Sequence, residues 1–148
     1  MKAKKEIINE ELKEIIHEKH NENEEMYLKV IYILEEDGVK PVCSNQIAKA
    51  LRIALPSVVE MLAKMDKKGL IKYDGRKGIS FKPKGKKTAK NIIRNLRLNE
   101  LMLKEILKMK DTKCACKFEH CMDNQIAEAI NRILKNPKKC PHGKIIPK

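Results

Sequence analysis

The sequence predicts a mainly α-helical fold, with a winged helix-turn-helix in its N-terminal half and an all-helical C-terminal half. Hydrophobic residues make up 42% of the chain, but aromatic residues only 3%, and there is no Trp. The core must therefore be aliphatic, which is typical of helical proteins. Apolar residues recur at helical spacing through most of the chain. One pair of short β-prone runs, within residues 70–82, predicts a single hairpin.

The first 37 residues predict two helices. Residues 5–20 place Ile and Leu at helical spacing between charged residues, so we expect an amphipathic helix within an N-terminal extension, residues 1–22. Asn23, followed by two Glu, is a typical helix start, and Asp37 followed by Gly38 is a typical end. The second helix should therefore cover about residues 24–36.

A helix-turn-helix is predicted over residues 44–69. Ser44 is the expected N-cap of a short helix that ends near Leu51. After a brief turn, Pro56 lies in the first turn of the next helix, where proline is tolerated. That second helix is predicted to carry the apolar residues Val58, Val59, Leu62 and Met65 and to end at Lys68 and Gly69. Two helices joined by so short a turn are the signature of the motif.

The predicted hairpin completes a winged helix over residues 23–85, and helices fill the rest of the chain. Its tip, residues 74–78, contains glycine and two basic residues. Residues 83–85, Pro-Lys-Gly, are expected to break the chain before a long helix over about 86–107. A short helix over about 112–122 and a last helix capped by Asp123 complete a domain over residues 86–148. The last helix should point Ile126, Ala127, Ile130, Ile133 and Leu134 inward.

The charge of the chain is +13 and is unevenly distributed. Residues 1–37 carry 6 Lys and Arg against 11 Asp and Glu, whereas residues 40–97 carry 16 against 3. A basic excess confined to one segment indicates a polyanion partner, and with a helix-turn-helix that partner is double-stranded DNA. No apolar run is long enough to span a membrane and no signal peptide is visible, so we expect a cytoplasmic protein.

The DNA contacts are expected on the outward face of the helix-turn-helix and on the wing. Ala54, Ser57 and Glu60 are placed to reach base edges, and the basic wing residues to reach phosphates. The full predicted set is Ser44, Ala54, Pro56, Ser57, Glu60, Lys64, Arg76 and Lys77. Further phosphate candidates are Lys82, Lys84, Lys86 and Lys87.

Three potential metal ligands share one predicted helical face. Cys116, Glu119 and His120 stand at positions i, i+3 and i+4, so their side chains project in one direction. A thiolate, a carboxylate and an imidazole that converge are a typical ligand set for a transition metal.

The other cysteines leave a second interpretation open. Cys114, Cys116 and Cys121, with Cys140, have a spacing that an iron–sulfur cluster or a structural Zn²⁺ can use, which would give a redox-sensing DNA-binding regulator. On one helix, however, Cys114 lies about 200° and Cys121 about 140° from Cys116. We therefore expect Cys121 to be a small buried hydrophobe. No catalytic constellation is visible, and we expect no enzyme and no small-molecule substrate.

Five ordered motifs carry a family resemblance over residues 23–147. They are residues 25–28 (EMYL), 56–59 (PSVV), 69–71 (GLI), 116–120 (CKFEH), and a C-terminal Cys-Pro-His-Gly followed by Ile-Pro. In this order they resemble the DtxR/MntR family of metal-dependent repressors. The resemblance implies a homodimer in which a divalent metal corepressor fixes two recognition helices for a palindromic operator of metal-uptake genes.

The resemblance also implies a ligand set. Met26 matches the thioether ligand of the family's iron-type primary site, and Cys116, Glu119 and His120 match its other side-chain ligands. Manganese-type members have carboxylates where Met26 and Cys116 stand, so the expected metal is Fe²⁺. Mn²⁺, Zn²⁺, Co²⁺ and Ni²⁺ are expected to bind in vitro.

Three departures from the family pattern affect these expectations. At the family's second metal site Glu100 is retained as a candidate ligand, but Leu96 and Thr112 replace two histidines. Glu60 stands where iron-type relatives have Gln, so operator preference is expected to differ. The SH3-like domain of longer members has no counterpart in this sequence.

Overall fold

The computed structural model describes residues 11–12, 23–110 and 114–148, and the chain forms two compact units, Met1–Ala89 and Lys90–Lys148. The predicted N-terminal helix lies outside the described residues, apart from Glu11 and Leu12, which are helical and buried. Among the described helices, none is both long enough and apolar enough to cross a membrane.

The first unit begins with helices α1, Glu24–Glu36, and α2, Ser44–Leu51. The predicted cap of α1 is confirmed, because the Asn23 side chain accepts a hydrogen bond from the Met26 amide at 3.0 Å. The cap of α2 was predicted one residue too late. Cys43 is the N-cap, and its backbone amide donates to the Gln46 side chain at 2.8 Å. The amide side chain three residues into the helix therefore sets its start, whereas the Ser44 hydroxyl does not.

Helix α3, Leu55–Lys67, is the second helix of the helix-turn-helix, with Pro56 in its first turn as predicted. Its buried residues are Val58, Leu62 and Met65, a stripe at i, i+4 and i+7. The neighbouring Val59 is 37% exposed. One residue turns a helix by about 100°, which carries Val59 out of this stripe.

The predicted hairpin is confirmed as strands β1, Ile71–Asp74, and β2, Gly78–Phe81. They pair antiparallel, with Ile71 opposite Phe81 and Asp74 opposite Gly78. A bridge extends the ladder toward the helix-turn-helix, because the Ile79 amide donates to the Val42 carbonyl at 2.8 Å. The wing is thus bonded at its base to the segment that leads into α2.

Helix α4 covers Pro83–Leu101 and starts three residues earlier than predicted. Proline suits a first helical turn because it has no amide hydrogen to leave unpaired there. A Cβ at Gly85 would lie 1.9 Å from the Leu70 carbonyl oxygen. The Pro-Lys-Gly sequence therefore opens the helix and lets it pass close to the Leu70 backbone, whereas it was predicted to break the chain. A π-helical turn, Met102–Ile106, replaces the predicted last turn of this helix.

The second unit contains the end of α4 and helices α5, Ala115–Glu119, and α6, Asn124–Ile133. The predicted Asp123 cap is confirmed by a 2.8 Å hydrogen bond from the Ile126 amide. The core of the unit consists of Leu98, Leu101, Ala127, Ile130, Cys140 and Ile146. Ile126 and Ile133 were predicted to be buried, but they are 45% and 65% exposed. The narrow buried stripe of α6 centres on Ala127 and Ile130, so these two isoleucines lie beside it.

The C-terminal segment folds back onto α4 within the second unit. The Arg97 guanidinium donates to the Ile145 carbonyl at 2.5 Å, and Lys139 pairs with Ile145 in an antiparallel bridge. The Cys140 amide donates to the Lys144 carbonyl at 2.9 Å, which closes a tight turn. These bonds fix the Cys-Pro-His-Gly turn next to the last turns of α4.

Candidate metal and nucleic-acid sites

The structure brings Cys116, Glu119 and His120 together at the end of α5. One ligand atom from each, the Cys116 thiol sulfur, a Glu119 carboxylate oxygen and a His120 ring nitrogen, lies within 4.8 Å of the other two. His120 Nε2 lies 3.5 Å from Glu119 Oε1. The first two residues are helical and His120 is the C-cap, still with right-handed helical backbone angles. The i, i+3, i+4 spacing therefore produces the predicted convergence.

The burial of this cluster fits a bound cation. Cys116 and Glu119 are 2% and 4% exposed, whereas the His120 side chain is partly open to solvent. A carboxylate is seldom so deeply buried unless it is paired or coordinates a metal. Sulfur, nitrogen and oxygen donors in one cluster suit a borderline divalent transition metal better than Mg²⁺ or Ca²⁺.

A second cluster in the same unit joins Glu100 to the Cys-Pro-His-Gly turn. Glu100 Oε1 lies 3.7 Å from His142 Nε2, and a Glu100 carboxylate oxygen lies within 4.8 Å of the Cys140 sulfur. Glu100 and Cys140 are 2% and 5% exposed. Of these three residues, Glu100 was predicted as a ligand of a second site, Cys140 only as a member of the alternative cysteine set, and His142 not at all. The signal for the other two was the Cys-Pro-His-Gly motif itself, because one tight turn presents a thiol and an imidazole two residues apart.

The remaining predicted ligand positions have different environments. Met26 is buried in α1 of the first unit, with 6% of it exposed. Leu96 is a buried aliphatic residue, so this position offers no ligand atom to the second cluster. Thr112 lies outside the described residues.

The other thiols do not extend either cluster. All five cysteines lie in the described residues and each is a free thiol. Cys121 is exposed, which corrects the prediction that it is a small buried hydrophobe; it follows the C-cap of α5, where the chain leaves the buried face. Among the described residues, neither Cys114 nor Cys121 belongs to a close group of three potential ligands. This arrangement disfavours the cysteine-held cluster that the spacing left open.

The outward face of the winged helix carries most of the predicted DNA-binding residues. The exposed members of the set are Ala54, Pro56, Ser57, Glu60, Lys64, Arg76 and Lys77. Ser44, in the first turn of α2, is half-buried. The wing tip is held by Asp74, whose Oδ1 accepts hydrogen bonds from the backbone amides of Arg76 at 2.8 Å and Lys77 at 3.1 Å. These bonds hold the pKa of Asp74 below its ordinary value and leave both basic side chains directed to solvent.

Some lysines predicted to contact phosphates instead pair within the first unit. The Lys82 ammonium nitrogen lies 3.0 Å from Asp66 Oδ1. The Lys86 ammonium lies 2.8 Å from a Glu35 oxygen and within 4.8 Å of the ring centroids of Tyr32 and Phe81. Lys84 and Lys87 remain exposed. Two of the four further phosphate candidates are therefore already engaged by acidic residues of the same unit.

Asp66 joins the helix-turn-helix to the wing. Its carboxylate accepts hydrogen bonds from the Lys82 ammonium at 3.0 Å and from the Tyr73 amide at 3.1 Å. The hydrogen bond from Lys82, with that from the Tyr73 amide, lowers the pKa of Asp66. The orientation of β1 against α3 is thereby fixed by a charged contact as well as by apolar packing.

Comparison with known proteins finds a matching domain family for each of the two parts of the chain. Residues 19–79 match the sequence model of the N-terminal DNA-binding domain of iron-dependent repressors. Residues 82–148 match that of the family's metal-binding and dimerisation domain. The chain belongs to the iron-dependent repressor, or DtxR/MntR, family. Both regions thus have counterparts in known members, and the resemblance read from the motifs is confirmed.

Individual relatives agree with the family assignment. The diphtheria toxin repressor of Corynebacterium diphtheriae is 33% identical over 126 residues, a match that covers 83% of this chain and 55% of that protein. The iron-dependent repressor IdeR of Mycobacterium tuberculosis is 32% identical over the same length. The chain thus spans about half the length of the curated relatives it matches.

Solved structures of family members share the fold. The manganese regulator SloR superposes with a TM-score of 0.75 at 32% identity, over 87% of this chain and 61% of that one. The metal-dependent transcriptional regulator MtsR gives a TM-score of 0.77 at 32% identity, over 85% of this chain and 60% of that one. The predicted mainly helical fold with an N-terminal winged helix is therefore confirmed.

Proposed function

We propose that this chain is a metal-dependent DNA-binding repressor that controls genes of metal uptake, with Fe²⁺ as its physiological corepressor. The observation that carries the proposal is the buried Cys116, Glu119 and His120 cluster in a chain that also has a basic winged helix. One part of the molecule has ligand atoms for a cation, and the other has exposed cations for a polyanion. A repressor that responds to metal requires both.

The proposed primary site comprises Met26, Cys116, Glu119 and His120. A thioether and a thiolate in place of two carboxylates favour Fe²⁺ over Mn²⁺, while Zn²⁺, Co²⁺ and Ni²⁺ also suit such donors. Among the relatives, SloR is described as a manganese regulator and ScaR was solved with bound Zn²⁺. Metal type therefore varies within the family, and the donor set of each chain is the more direct guide.

We further propose that Glu100, Cys140 and His142 form a second cation site. Their charge and burial resemble those of the first cluster. The site uses the Cys-Pro-His-Gly turn in place of the histidines that Leu96 and Thr112 replace in this sequence. Glu100 thus keeps the metal role predicted for it, with new partners.

The proposed mechanism is restraint by ligands from both parts of the chain. Met26 belongs to the DNA-binding domain, residues 23–85, and the other three ligands to the metal-binding and dimerisation domain, residues 86–148. A metal bound by both sets favours the orientation in which the two winged helices of a homodimer fit successive major grooves. The protein itself makes no covalent change, and we propose a cytoplasmic regulator with no enzyme activity.

The test is metal-dependent DNA binding under anaerobic conditions. An operator is first selected from random duplexes in the presence of Fe²⁺, and fluorescence anisotropy then measures its affinity with Fe²⁺ and with a chelator. We expect Fe²⁺ to increase the affinity at least tenfold. Equal affinity in both conditions, or failure to select any sequence, would contradict the proposal.

A further inference from the structure

The basic segment contains very few acidic residues, and most of them have structural roles. Residues 40–97 include three, namely Glu60, Asp66 and Asp74. Asp66 accepts hydrogen bonds from Lys82 and the Tyr73 amide, and Asp74 holds the wing tip through two backbone amides. Glu60 differs from both, because it forms a surface ion pair within α3.

The Glu60 pair contributes little to the fold. Glu60 Oε1 lies 2.8 Å from Lys64 Nζ, one helical turn away, with the two side chains 70% and 59% exposed. Exposed pairs of this kind stabilise proteins only slightly. A carboxylate on a surface that approaches DNA is also repelled by the phosphates. Glu60 therefore opposes the binding of DNA in general, unless a favourable contact with a base compensates for this repulsion.

We infer that Glu60 reads a cytosine in the major groove of the operator, an inference that rests on the proposed DNA-binding function. An ionised carboxylate only accepts hydrogen bonds. Of the four bases, cytosine presents its N4 amino donor without a neighbouring acceptor on the same base, whereas adenine pairs its donor with N7. Guanine and thymine present acceptors at the corresponding positions, and these repel a carboxylate.

Lys64 supports this role from the next turn of the helix. Its hydrogen bond lowers the pKa of Glu60, so the carboxylate stays ionised and acts as an acceptor. The Lys64 ammonium is itself exposed, and it is placed to compensate the phosphate repulsion that Glu60 introduces. The two residues form one unit in which the first selects a base and the second offsets its electrostatic cost.

The experiment compares Glu60→Gln with the wild type. Operators are selected from random duplexes with Fe²⁺ for both proteins, and affinities are then measured by anisotropy for all four bases at each half-site position. At one position we expect the wild type to prefer cytosine by about tenfold over the other bases, and the variant to lose that preference. Glutamine matches the size of Glu60 and also donates hydrogen bonds, so preference at that position should shift toward adenine. The matched control is Glu36→Gln, which removes the same charge from an exposed residue of α1 and should keep the cytosine preference.

Two outcomes overturn the inference while leaving the proposed function intact. In the first, the wild type binds its operator with Fe²⁺ but Glu60→Gln keeps the same base preferences at every position. In the second, the variant binds all duplexes, including a scrambled one, more tightly by a single common factor, which indicates general repulsion without base selection. Failure of the wild type to bind any duplex with metal contradicts the proposed function itself, and with it this inference.

Discussion

The two units place their ionisable groups in opposite ways. In the first unit Asp66 and Asp74 lie near the surface, each bonded to cations or backbone amides, and exposed basic residues such as Arg76 and Lys77 surround them. In the second unit Glu100 and Glu119 are buried, at 2% and 4% exposure, beside thiols and imidazoles. The first unit thus keeps these two carboxylates at a surface with exposed cations, whereas the second encloses two carboxylates among potential metal ligands.

This difference indicates which partner each unit requires. Exposed positive charge costs little in water and is used when a polyanion arrives. A buried carboxylate is costly unless it is paired or coordinates a metal, and thiol and imidazole neighbours are themselves ligands for transition metals. These placements suit a polyanion partner for the first unit and a divalent cation for the second.

The largest expected effect comes from changing a ligand in the cluster of Cys116, Glu119 and His120. Cys116→Ala removes the thiolate donor, and we expect Co²⁺ affinity to fall by at least the 10–100-fold that loss of a mere supporting partner costs. In a Cys140→Ser background, which removes the thiol of the proposed second site, loss of the Co²⁺–thiolate charge-transfer band on titration measures this fall. Cys121→Ala, which removes an exposed thiol five residues later, should leave both the band and the affinity unchanged. A strong band in the variant that lacks both Cys116 and Cys140 would show that another thiol holds the metal.

The packing of the first unit gives the next effect. Gly85→Ala places a Cβ where it would meet the Leu70 carbonyl oxygen at 1.9 Å, so α4 and the Leu70 backbone must separate. We expect the free energy of unfolding to fall by about 2–3 kcal/mol, measured by urea denaturation. Gly75→Ala is the control, because Tyr73 Oη at 4.0 Å is the nearest neighbour found for its Cβ. Equal stability of the two variants would contradict the described packing.

The exposed charge of the first unit should act through phosphates. Lys77→Ala at the wing tip is expected to weaken binding to all duplexes by a similar factor and to reduce the slope of log affinity against log salt by about 0.9. Lys82→Ala removes a lysine that is paired with Asp66, and should change that slope less. The idea that the unpaired charges carry DNA binding fails if Lys82→Ala reduces the slope more than Lys77→Ala.

The smallest effect concerns the internal pairing of Asp66. Its pKa is lower in the folded chain than its ordinary value of 3.8, so its contribution to stability is complete above pH 3.8 and is lost as pH falls through the lower folded value. Asp66→Asn should therefore flatten the loss of stability in this acidic range, measured by denaturation at several pH values. Lys82→Met leaves the Tyr73 amide bond in place and should give an intermediate slope. If stability depends on pH in Asp66→Asn as it does in the wild type, the proposed contribution of this carboxylate is contradicted.

Local signals in the sequence predicted the first unit better than the second. Asn23 as a cap and the residues around Asp74 as a hairpin tip were correct, because a cap and a turn depend on neighbouring residues. The effect of Pro83 was predicted wrongly, because proline can begin a helix as well as end one. Only the close approach of Gly85 to the Leu70 backbone indicates that α4 begins here.

In the second unit, the features that could not be predicted from the sequence depend on long-range packing. The convergence of Cys116, Glu119 and His120 follows from helical spacing and was predictable. The approach of His142 to Glu100 depends on how the C-terminal turn folds back onto α4, which no local pattern specifies. Ile126 and Ile133 fit a helical apolar pattern, but the width of the buried stripe is decided by the facing residues.

The most direct test of the central claim measures metal affinity with and without operator DNA. If metal and DNA favour the same arrangement of the chain, each must raise the affinity for the other by the same factor. We predict that saturating operator raises Fe²⁺ affinity by the factor by which Fe²⁺ raises operator affinity, within the range of about 5–150-fold. Identical Fe²⁺ affinity in the presence and absence of operator would contradict the account.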